Sequence, residues 1–286
     1  MQAKDDKTKQ QYRHETADMR NLRLCFPPME DQVNCMHSKL MLLSHPSYLR
    51  IVVPTANLVP YDWGESGDME NMLFILDLPR LSDRHRSAPD TAFGRELIYF
   101  LNAMGLEQSI VDSVSNFDFA ATKDLAFVHT IGGAHIGESL RRTGYCGLGR
   151  AVKELALATS SALNVDFVTS SVGSLNVDFL TMLYLAASGD DGTTLETGRG
   201  KRKASKLELA EAKAVQEEIR NRIRDNFHIY FPAHDTVKAS TAEFAGTICF
   251  QSKWYNSPTF PRHALRDCKS TRTGLLMHNK VSESFH

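Results

Sequence analysis

Hydrophobic residues along the chain fall into short runs separated by polar segments. Three runs have the length and composition of β-strands, at Met36–Leu43, Leu49–Val53 and Met72–Leu78. Ser44–Ser47 lies between the first two runs and predicts a turn that joins them as a hairpin. Thr91–Leu106 instead places apolar residues along one side of a helix, so this part of the chain is predicted to combine a sheet with a helix.

The same alternation continues through the rest of the chain. The predicted elements in chain order are a strand at Leu125–Ile131, a turn at Gly147–Gly149, a helix at Arg150–Ala158, a strand at Leu163–Val168, a tight loop at Thr169–Gly173, helices at Leu175–Ala187 and Lys206–Arg224, and strands at 228–232, 246–251 and 275–281. Strands that alternate with helices predict an α/β fold with mixed sheets flanked by helices. The glycines in the 132–137 region predict a boundary between an N-terminal domain of residues 1–136 and a C-terminal domain of residues 137–286.

Composition limits the partners that the chain can have. Hydrophobic residues make up 42% and charged residues 23% of the 286 positions, which excludes a collagenous or mainly disordered chain. Lys and Arg number 33 against 34 Asp and Glu, so any nucleic acid must be held by a local basic patch. No apolar run approaches the roughly 18 residues of a membrane span, and the N-terminus is polar. We therefore expect an intracellular protein with no membrane partner.

The spacing of cysteine and histidine gives no sign of a disulfide framework or a metal site. The 5 cysteines are scattered and form no CxxC pair. The pairs His129/His135 and His228/His234 share one spacing, but nothing else in the sequence places them on zinc. No metal and no cofactor are predicted.

One chemical pattern occurs twice at long range. His37-Ser-Lys39 and His278-Asn-Lys280 each follow a methionine inside an apolar run. Residues i and i+2 of a strand project from the same face, so each HxK places an imidazole beside an ammonium group. Asn57 follows Lys39 by 18 residues, where a hairpin would bring its amide back beside the first pair.

Two such pairs facing each other would suit a phosphodiester. Lysines and an amide hold the non-bridging oxygens and stabilise the charge on a five-coordinate phosphorus. One imidazole attacks the phosphorus, and the other protonates the leaving oxygen. No metal is required, because the lysines supply the positive charge.

These motifs resemble the tyrosyl-DNA phosphodiesterase family, a branch of the phospholipase D superfamily. The resemblance runs from about Cys25 to Lys280 and is closest to fungal members. Its segments are His37–Leu43, Leu49–Leu58, Asp62–Trp63, Thr143–Gly149, Thr169–Leu175 and Arg272–Lys280. This branch has HxK followed by Asn where phospholipases have Asp, so Asn57 favours DNA repair over lipid hydrolysis. The resemblance implies two similar phospholipase D-like domains related by a pseudo-twofold axis.

The resemblance also implies roles for the motif residues. His37 would form a phosphohistidine with a DNA 3′ end, and His278 would protonate the departing tyrosine and then activate water. The residues implied to hold phosphoryl oxygens or DNA phosphates are Lys39, Asn57, Lys280, Ser170, Ser171 and Ser174, with Trp63 lining the groove. The implied protein is a monomeric nuclear hydrolase that repairs stalled topoisomerase I adducts. Its partners would be single- or double-stranded DNA 3′ ends with a tyrosyl or peptide adduct.

Several alternatives stay open at the level of sequence. The spacing of the first motif predicts a second Asn about 18 residues after Lys280, beyond the last residue His286, so we expect both domains to be incomplete at the chain ends. The second reading is a chain that binds DNA ends without turnover or fails to fold, because that Asn is missing. The third reading is a phospholipase or a general phosphodiesterase. Trp63 is also typical of a half-buried packing residue, and Arg199–Arg224 of either a solvated helix face or a nucleic-acid contact.

Overall fold

A computed structural model of the protein describes residues 5–29, 36–82, 88–192, 206–243 and 248–285. Its strands are β1 Met41–Ser44, β2 Tyr48–Pro54, β3 Met69–Glu70, β4 Leu73–Pro79, β5 Asn164–Val168, β6 Ser171–Val172, β7 Phe227–Tyr230, β8 Cys249–Phe250, β9 Leu265–Arg266, β10 Leu276–Met277 and β11 Val281–Phe285. Its helices are α1 Asp6–Glu15, α2 Ala92–Ala103, α3 Gln108–Ser113, α4 Gly137–Arg142, α5 Gly144–Glu154, α6 Val177–Ala187, α7 Lys206–Asn226, α8 His234–Lys238 and α9 Ser252–Tyr255. The predicted α/β fold with mixed sheets and helices is confirmed. None of the helices in the described ranges is long and apolar enough to cross a membrane.

The first sheet contains β1, β2 and β4 in that spatial order, and both pairings are antiparallel. The predicted strands at Leu49–Val53 and Met72–Leu78 are confirmed, as is the turn between β1 and β2. Ile51, Leu78 and Leu97 are fully buried where this sheet and α2 share one hydrophobic core. This core supports the loop that carries Asn57, because that loop follows β2 directly.

Helix α2 confirms the helix predicted at Thr91–Leu106. It begins after Thr91, whose hydroxyl accepts a hydrogen bond from the Gly94 amide at 3.2 Å. A threonine in this position satisfies one of the backbone N–H groups that the first turn of a helix leaves without a partner.

Two strand predictions in the first half need correction. The run at Met36–Leu43 forms a strand only from Met41 onward, although Met36 and Leu40 still pack against the first core. The strand predicted at Leu125–Ile131 is wrong, because this segment pairs with no strand among the described residues. Its apolar residues do pack against the first core, which explains their alternation.

The backbone of the 125–131 segment supports the start of α5 instead of a sheet. The Ile131 amide donates to the Thr143 hydroxyl at 3.0 Å, and the Gly144 amide donates to the His129 carbonyl at 2.9 Å. The 125–131 segment therefore connects two parts of the chain and packs against the first core, although its sequence alternates like that of a strand.

The second large sheet has the spatial order β11-β5-β7-β9, with β11 antiparallel and the other pairings parallel. Helices α6 and α7 pack on it through Leu180, Tyr184 and Ile223, which are almost completely buried. The predicted elements that correspond to β5, β7, α6 and α7 are all confirmed, with small shifts of their ends. Residues 199–205 of the basic stretch and residues 246–247 of a predicted strand lie outside the described residues.

Two short parallel pairings connect distant parts of the chain. Strand β10 pairs with β3, and β8 pairs with β6, which lies inside the loop predicted at Thr169–Gly173. The single strand predicted at 275–281 is wrong, because the chain leaves β3 after β10 and joins β5 as β11. His278-Asn-Lys280 occupies the crossing between the two sheets.

The turn predicted at Gly147–Gly149 is also wrong, since both glycines lie inside α5. A methyl group on Gly149 would come within 1.8 Å of the Asp190 carbonyl oxygen, and one on Gly147 within 2.7 Å of the Arg142 carbonyl oxygen. These glycines allow close approach of neighbouring backbone, which outweighs their low helix propensity.

We expect Gly149→Ala to destabilise the fold by about 1–3 kcal/mol, because the added methyl group overlaps backbone that cannot move freely. Urea unfolding followed by circular dichroism measures this change. Gly173→Ala is the matched control, since a methyl group there meets nothing within 4 Å and Gly173 has no positive φ. Equal midpoints for the two variants would show that the contact at Gly149 is easily relieved.

Candidate active site

The two HxK segments meet because β10 docks on β3. The His278 amide donates to the Glu70 carbonyl at 2.9 Å, which continues the β3–β10 pairing by one residue. Lys280 then reaches the first half of the chain, where its Nζ lies 3.5 Å from the Thr55 carbonyl oxygen. Residues separated by most of the sequence therefore form one site.

The first motif brings its imidazole and ammonium groups together as predicted, although His37 and Lys39 precede β1 and do not lie in a strand. Lys39 Nζ lies 3.0 Å from His37 Nε2, and Asn57 Oδ1 lies 3.1 Å from the same nitrogen. The Asn57 backbone is fixed from both sides, because its amide donates to Asp62 Oδ2 at 2.5 Å and its carbonyl accepts from Trp63 Nε1 at 2.8 Å. His37 itself is exposed, so it is accessible to a ligand.

The second motif is buried, with His278 only 1% exposed. Lys280 Nζ lies 3.1 Å from His278 Nε2 and donates to the Ser170 hydroxyl at 2.9 Å. Ser170 is fully buried, and its carbonyl accepts from the Cys249 amide at 3.0 Å. Ser170 therefore positions the second lysine and is itself held by the β6–β8 pairing.

Two residues that the sequence reasoning did not assign hold the ring of His278. Its Nδ1 lies 3.0 Å from Asn71 Oδ1 and 3.6 Å from Asp62 Oδ2. The Asn71 side-chain amide also donates to the Asp62 carbonyl at 2.9 Å. Two acceptors facing Nδ1 favour the tautomer with the proton on Nδ1, which leaves a lone pair on Nε2 beside Lys280.

Burial and neighbouring charges keep both imidazoles neutral near pH 7. His37 is exposed but partly desolvated by its neighbours, and this desolvation, followed by the Lys39 ammonium, lowers the pKa of His37 below its usual range. Burial, followed by the Lys280 ammonium, lowers the pKa of His278 to about 4. The pKa of Lys280 falls to about 8 through burial and the charge of Lys39, so Lys280 is still mostly protonated at neutral pH.

This combination of groups fits phosphoryl chemistry. A neutral imidazole is the form of histidine that can act as a nucleophile or a base. Two ammonium groups beside it attract an anion and stabilise the charge that develops on phosphoryl oxygens. The predicted residues His37, Lys39, Asn57, His278, Lys280 and Ser170 all belong to this one cluster.

The other predicted contact residues lie outside this cluster. Ser171 and Ser174 are exposed, on β6 and in the loop before α6. Trp63 is 39% exposed and uses its indole N–H on the backbone of Asn57. This bond holds the Asn57 loop, and the groove-lining role of Trp63 stays a prediction.

The histidine pairs considered for zinc have other partners. His129 contacts Glu96 at 3.1 Å, His135 contacts the Ile131 carbonyl at 2.9 Å, and His228 contacts Asp166 at 3.1 Å. Over the ranges that the structure describes, no group of three His, Cys, Asp or Glu residues could hold a metal ion.

We expect Asp62→Asn to move the titration of His278 to lower pH. The Asp62 carboxylate raises the pKa of His278 against the opposing effects of burial and Lys280, and asparagine removes that charge while keeping an acceptor for the Asn57 amide. NMR titration of the His278 ring measures the midpoint. Asp124→Asn, at a side chain that is 86% exposed, is the control, and an unchanged or raised midpoint in Asp62→Asn would contradict the assignment.

Two comparisons with known proteins bear on the family and the fold of the chain. The sequence model of the tyrosyl-DNA phosphodiesterase family matches residues 1–285. The fold is similar to a crystal structure of a histidine-to-alanine variant of yeast tyrosyl-DNA phosphodiesterase, with a TM-score of 0.54 and 19% sequence identity. That match covers 84% of this chain and 53% of the yeast chain, so the chain spans about half the length of the yeast protein. Because the family match extends over nearly every residue, the chain belongs to the tyrosyl-DNA phosphodiesterase family.

Proposed function

We propose that the chain hydrolyses the phosphodiester between a tyrosine and the 3′ end of DNA, and other 3′-blocked ends, through a phosphohistidine at His37. The observation that carries this proposal is the meeting of two histidine–lysine pairs and Asn57 in one site, where Lys280 reaches the Thr55 carbonyl two residues before Asn57. Family membership supports the reaction class and DNA as the substrate. Repair of stalled topoisomerase I adducts is the proposed context, and the nucleus is the proposed compartment of a monomeric enzyme.

In the first step, a ring nitrogen of His37 attacks the phosphorus. An N–P bond forms, the bond between phosphorus and the tyrosine oxygen breaks, and His278 donates a proton to that oxygen. A phenol has a pKa of about 10, so its departure is faster with a proton donor. The two histidines are flanked by the side chains of Lys39, Lys280 and Asn57. In this position these three groups would stabilise the charge on the phosphoryl oxygens.

Substrate binding would prepare His278 for this role. Its low pKa comes from burial and from the ammonium groups of Lys280 and Lys39. A bound phosphodiester adds negative charge beside the same ammonium groups, so we expect the pKa of His278 to rise in the complex. The ring would then carry the proton that the leaving tyrosine requires.

In the second step, His278 acts as a base. Tyrosine has taken its proton, so the neutral ring accepts a proton from water while the water oxygen attacks phosphorus. The N–P bond breaks, His37 is regenerated, and the DNA keeps a 3′ phosphate. The hydroxyls of Ser171 and Ser174, near the start of α6, are proposed to bind DNA phosphates beyond the reacting group.

The direct test uses a 5′-labelled oligonucleotide with a 3′ phosphotyrosine. We expect release of tyrosine and a product that ends in a 3′ phosphate, with no loss of rate in EDTA because Lys39 and Lys280 supply the positive charge. The matched control substrate carries the tyrosine on a 5′ phosphate. Binding of the 3′ substrate without release would instead favour a DNA-end binder that lacks turnover, and hydrolysis of a phosphatidyl ester would favour a phospholipase.

A further inference from the structure

A cavity of about 420 Å³ opens at the carboxyl ends of the parallel strands β7 and β9. Its apolar walls consist of Phe231, Pro232, Val237, Ile248, Phe250 and Leu265, and we call it the aromatic pocket. The carboxyl ends of parallel strands are a common place for ligands in α/β folds, and the volume falls in the range of small-molecule sites.

The rings of the aromatic pocket are held by their neighbours. Phe250 packs edge-on against Phe231 with centroids 5.4 Å apart, and it also contacts Tyr255 at 5.9 Å and Phe260 at 5.3 Å. Phe260 is 4% exposed and anchors this cluster. The pocket therefore has a firm aromatic wall against which a flat ring can stack.

The charged groups at the rim of the pocket are already used by the fold. Asp267 accepts hydrogen bonds from the Ala233 amide and the Thr236 hydroxyl, each at 2.7 Å. Arg266 donates to two backbone carbonyls at 2.7 and 2.9 Å. These bonds hold both charged side chains in place, and the mostly apolar lining of the pocket favours a flat ring over an ion.

The aromatic pocket is joined to the active site through β8. Phe250 lies opposite Val172 in the β6–β8 pairing, and the preceding residue, Cys249, donates to the Ser170 carbonyl. Ser170 in turn accepts the hydrogen bond from Lys280. From strand spacing and rise, the backbone of Phe250 lies about 8 Å from that of Ser170.

Cations accompany the aromatic surface outside the pocket. Lys253 Nζ lies 4.6 Å from the centre of the Trp254 ring, and the Arg262 guanidinium lies 5.1 Å from that of Tyr255. Both cations are exposed, and the Tyr255 ring packs on the Phe250 ring of the pocket wall. Aromatic rings interleaved with cations are the usual means of binding single-stranded nucleic acid, with bases on the rings and phosphates on the cations.

We propose that the aromatic pocket binds one unpaired nucleobase of the DNA strand whose 3′ end occupies the active site. Lys253 and Arg262, on the aromatic surface beside the pocket, contact phosphates of the same strand. This inference rests on the proposed function, because it takes the reacting strand to be DNA. Its consequence is that the enzyme prefers ends at which a base close to the reacting phosphate is free of its complement.

The test measures equilibrium binding, so it does not depend on turnover. A fluorescent single-stranded oligonucleotide with the 3′ phosphate that the reaction would leave is titrated with the full chain, and abasic sites are placed at each position in turn. We expect one position near the 3′ end at which loss of the base weakens binding about tenfold, the size typical of one base–aromatic stack. In Phe250→Leu, which keeps an apolar side chain but loses the ring, that effect is expected to fall below about twofold.

Phe74→Leu is the matched control, because Phe74 is an exposed ring on β4 of the other sheet, and it should keep the positional effect. A flat abasic scan with the unmodified protein, or an unchanged scan in Phe250→Leu, overturns the base site. A third outcome is a flat abasic scan together with tighter binding of an oligonucleotide that carries a 3′ tyrosyl peptide, with the tighter binding lost in Phe250→Leu. This result would assign the pocket to the peptide and would also overturn the base site. Absence of hydrolysis with a positive scan counts against the proposed function alone.

Discussion

Replacing His37 with alanine is expected to reduce tyrosine release from a 3′-phosphotyrosyl oligonucleotide by at least about 10⁴-fold. Removing the nucleophile of a covalent mechanism eliminates the pathway itself, and the remaining groups provide only binding and charge stabilisation. His37 is exposed and lies outside both large cores, so the variant should fold normally. Single-turnover kinetics with labelled DNA measure the loss, and thermal unfolding verifies the fold.

His14→Ala is the matched control for this prediction. His14 lies in the last turn of α1, is exposed, and contacts none of the active-site residues in the described structure. It should retain the rate of the unmodified protein. A His37→Ala variant that still releases tyrosine at more than a few per cent of that rate would refute a phosphohistidine at this position.

Replacing His278 with asparagine is expected to separate the two steps of the reaction. The asparagine amide nitrogen can take the place of Nδ1 beside Asn71 Oδ1, so the buried contact is kept while the titrating group is lost. With tyrosine as the leaving group, we expect the rate to fall by about 10²–10⁴-fold, the contribution of a positioned acid or base.

With a nitrophenyl leaving group, the first step should no longer depend on His278, whereas the second step still should. Nitrophenol is far more acidic than tyrosine and departs without a proton donor, whereas hydrolysis of the phosphohistidine still needs a base. His278→Asn should therefore release about one equivalent of nitrophenol per enzyme and then stall, with the nucleotide attached to His37. Stopped-flow absorbance and intact-protein mass spectrometry detect these two events. Steady turnover without a burst would show that another group activates the water.

The parts of the fold that the sequence predicted are those in which local pattern and packing agree. Strand β2 and helix α2 bury their apolar residues in the core that they share, so periodicity was sufficient. The segment Leu125–Ile131 has the same alternation, but its backbone forms hydrogen bonds with residues at the start of α5. The local sequence pattern does not reveal contacts of this kind. The requirement for glycine at position 149 similarly comes from the adjacent backbone of Asp190, which is distant in sequence, and not from the helix that contains Gly149.

The candidate site likewise has a part that the sequence predicted and a part that it did not. His37, Lys39 and Asn57 could be grouped because a hairpin fixes their relation, and the repeated HxK pointed to His278 and Lys280. Asn71 belongs to no motif, and Asp62 lies in the Asp62–Trp63 segment but received no role there, because both residues reach the ring of His278 only after β10 has docked. Phosphate-contact roles for Ser171 and Ser174 stay predictions, because the exposure of both residues is compatible with these roles but does not test them.

The pairing of β3 with β10 also has a consequence for how the protein matures. It brings His278 to Asn71 across 207 positions of sequence, whereas β1 and β2 pair across a short turn. Contacts between distant segments form slowly, because the connecting chain must be ordered before they contribute stability. The hairpin beside His37 can therefore exist well before His278 reaches it. Under the proposed mechanism, a newly made or partly refolded chain would present His37 without His278 and Lys280, and activity would be among the last properties to appear during refolding.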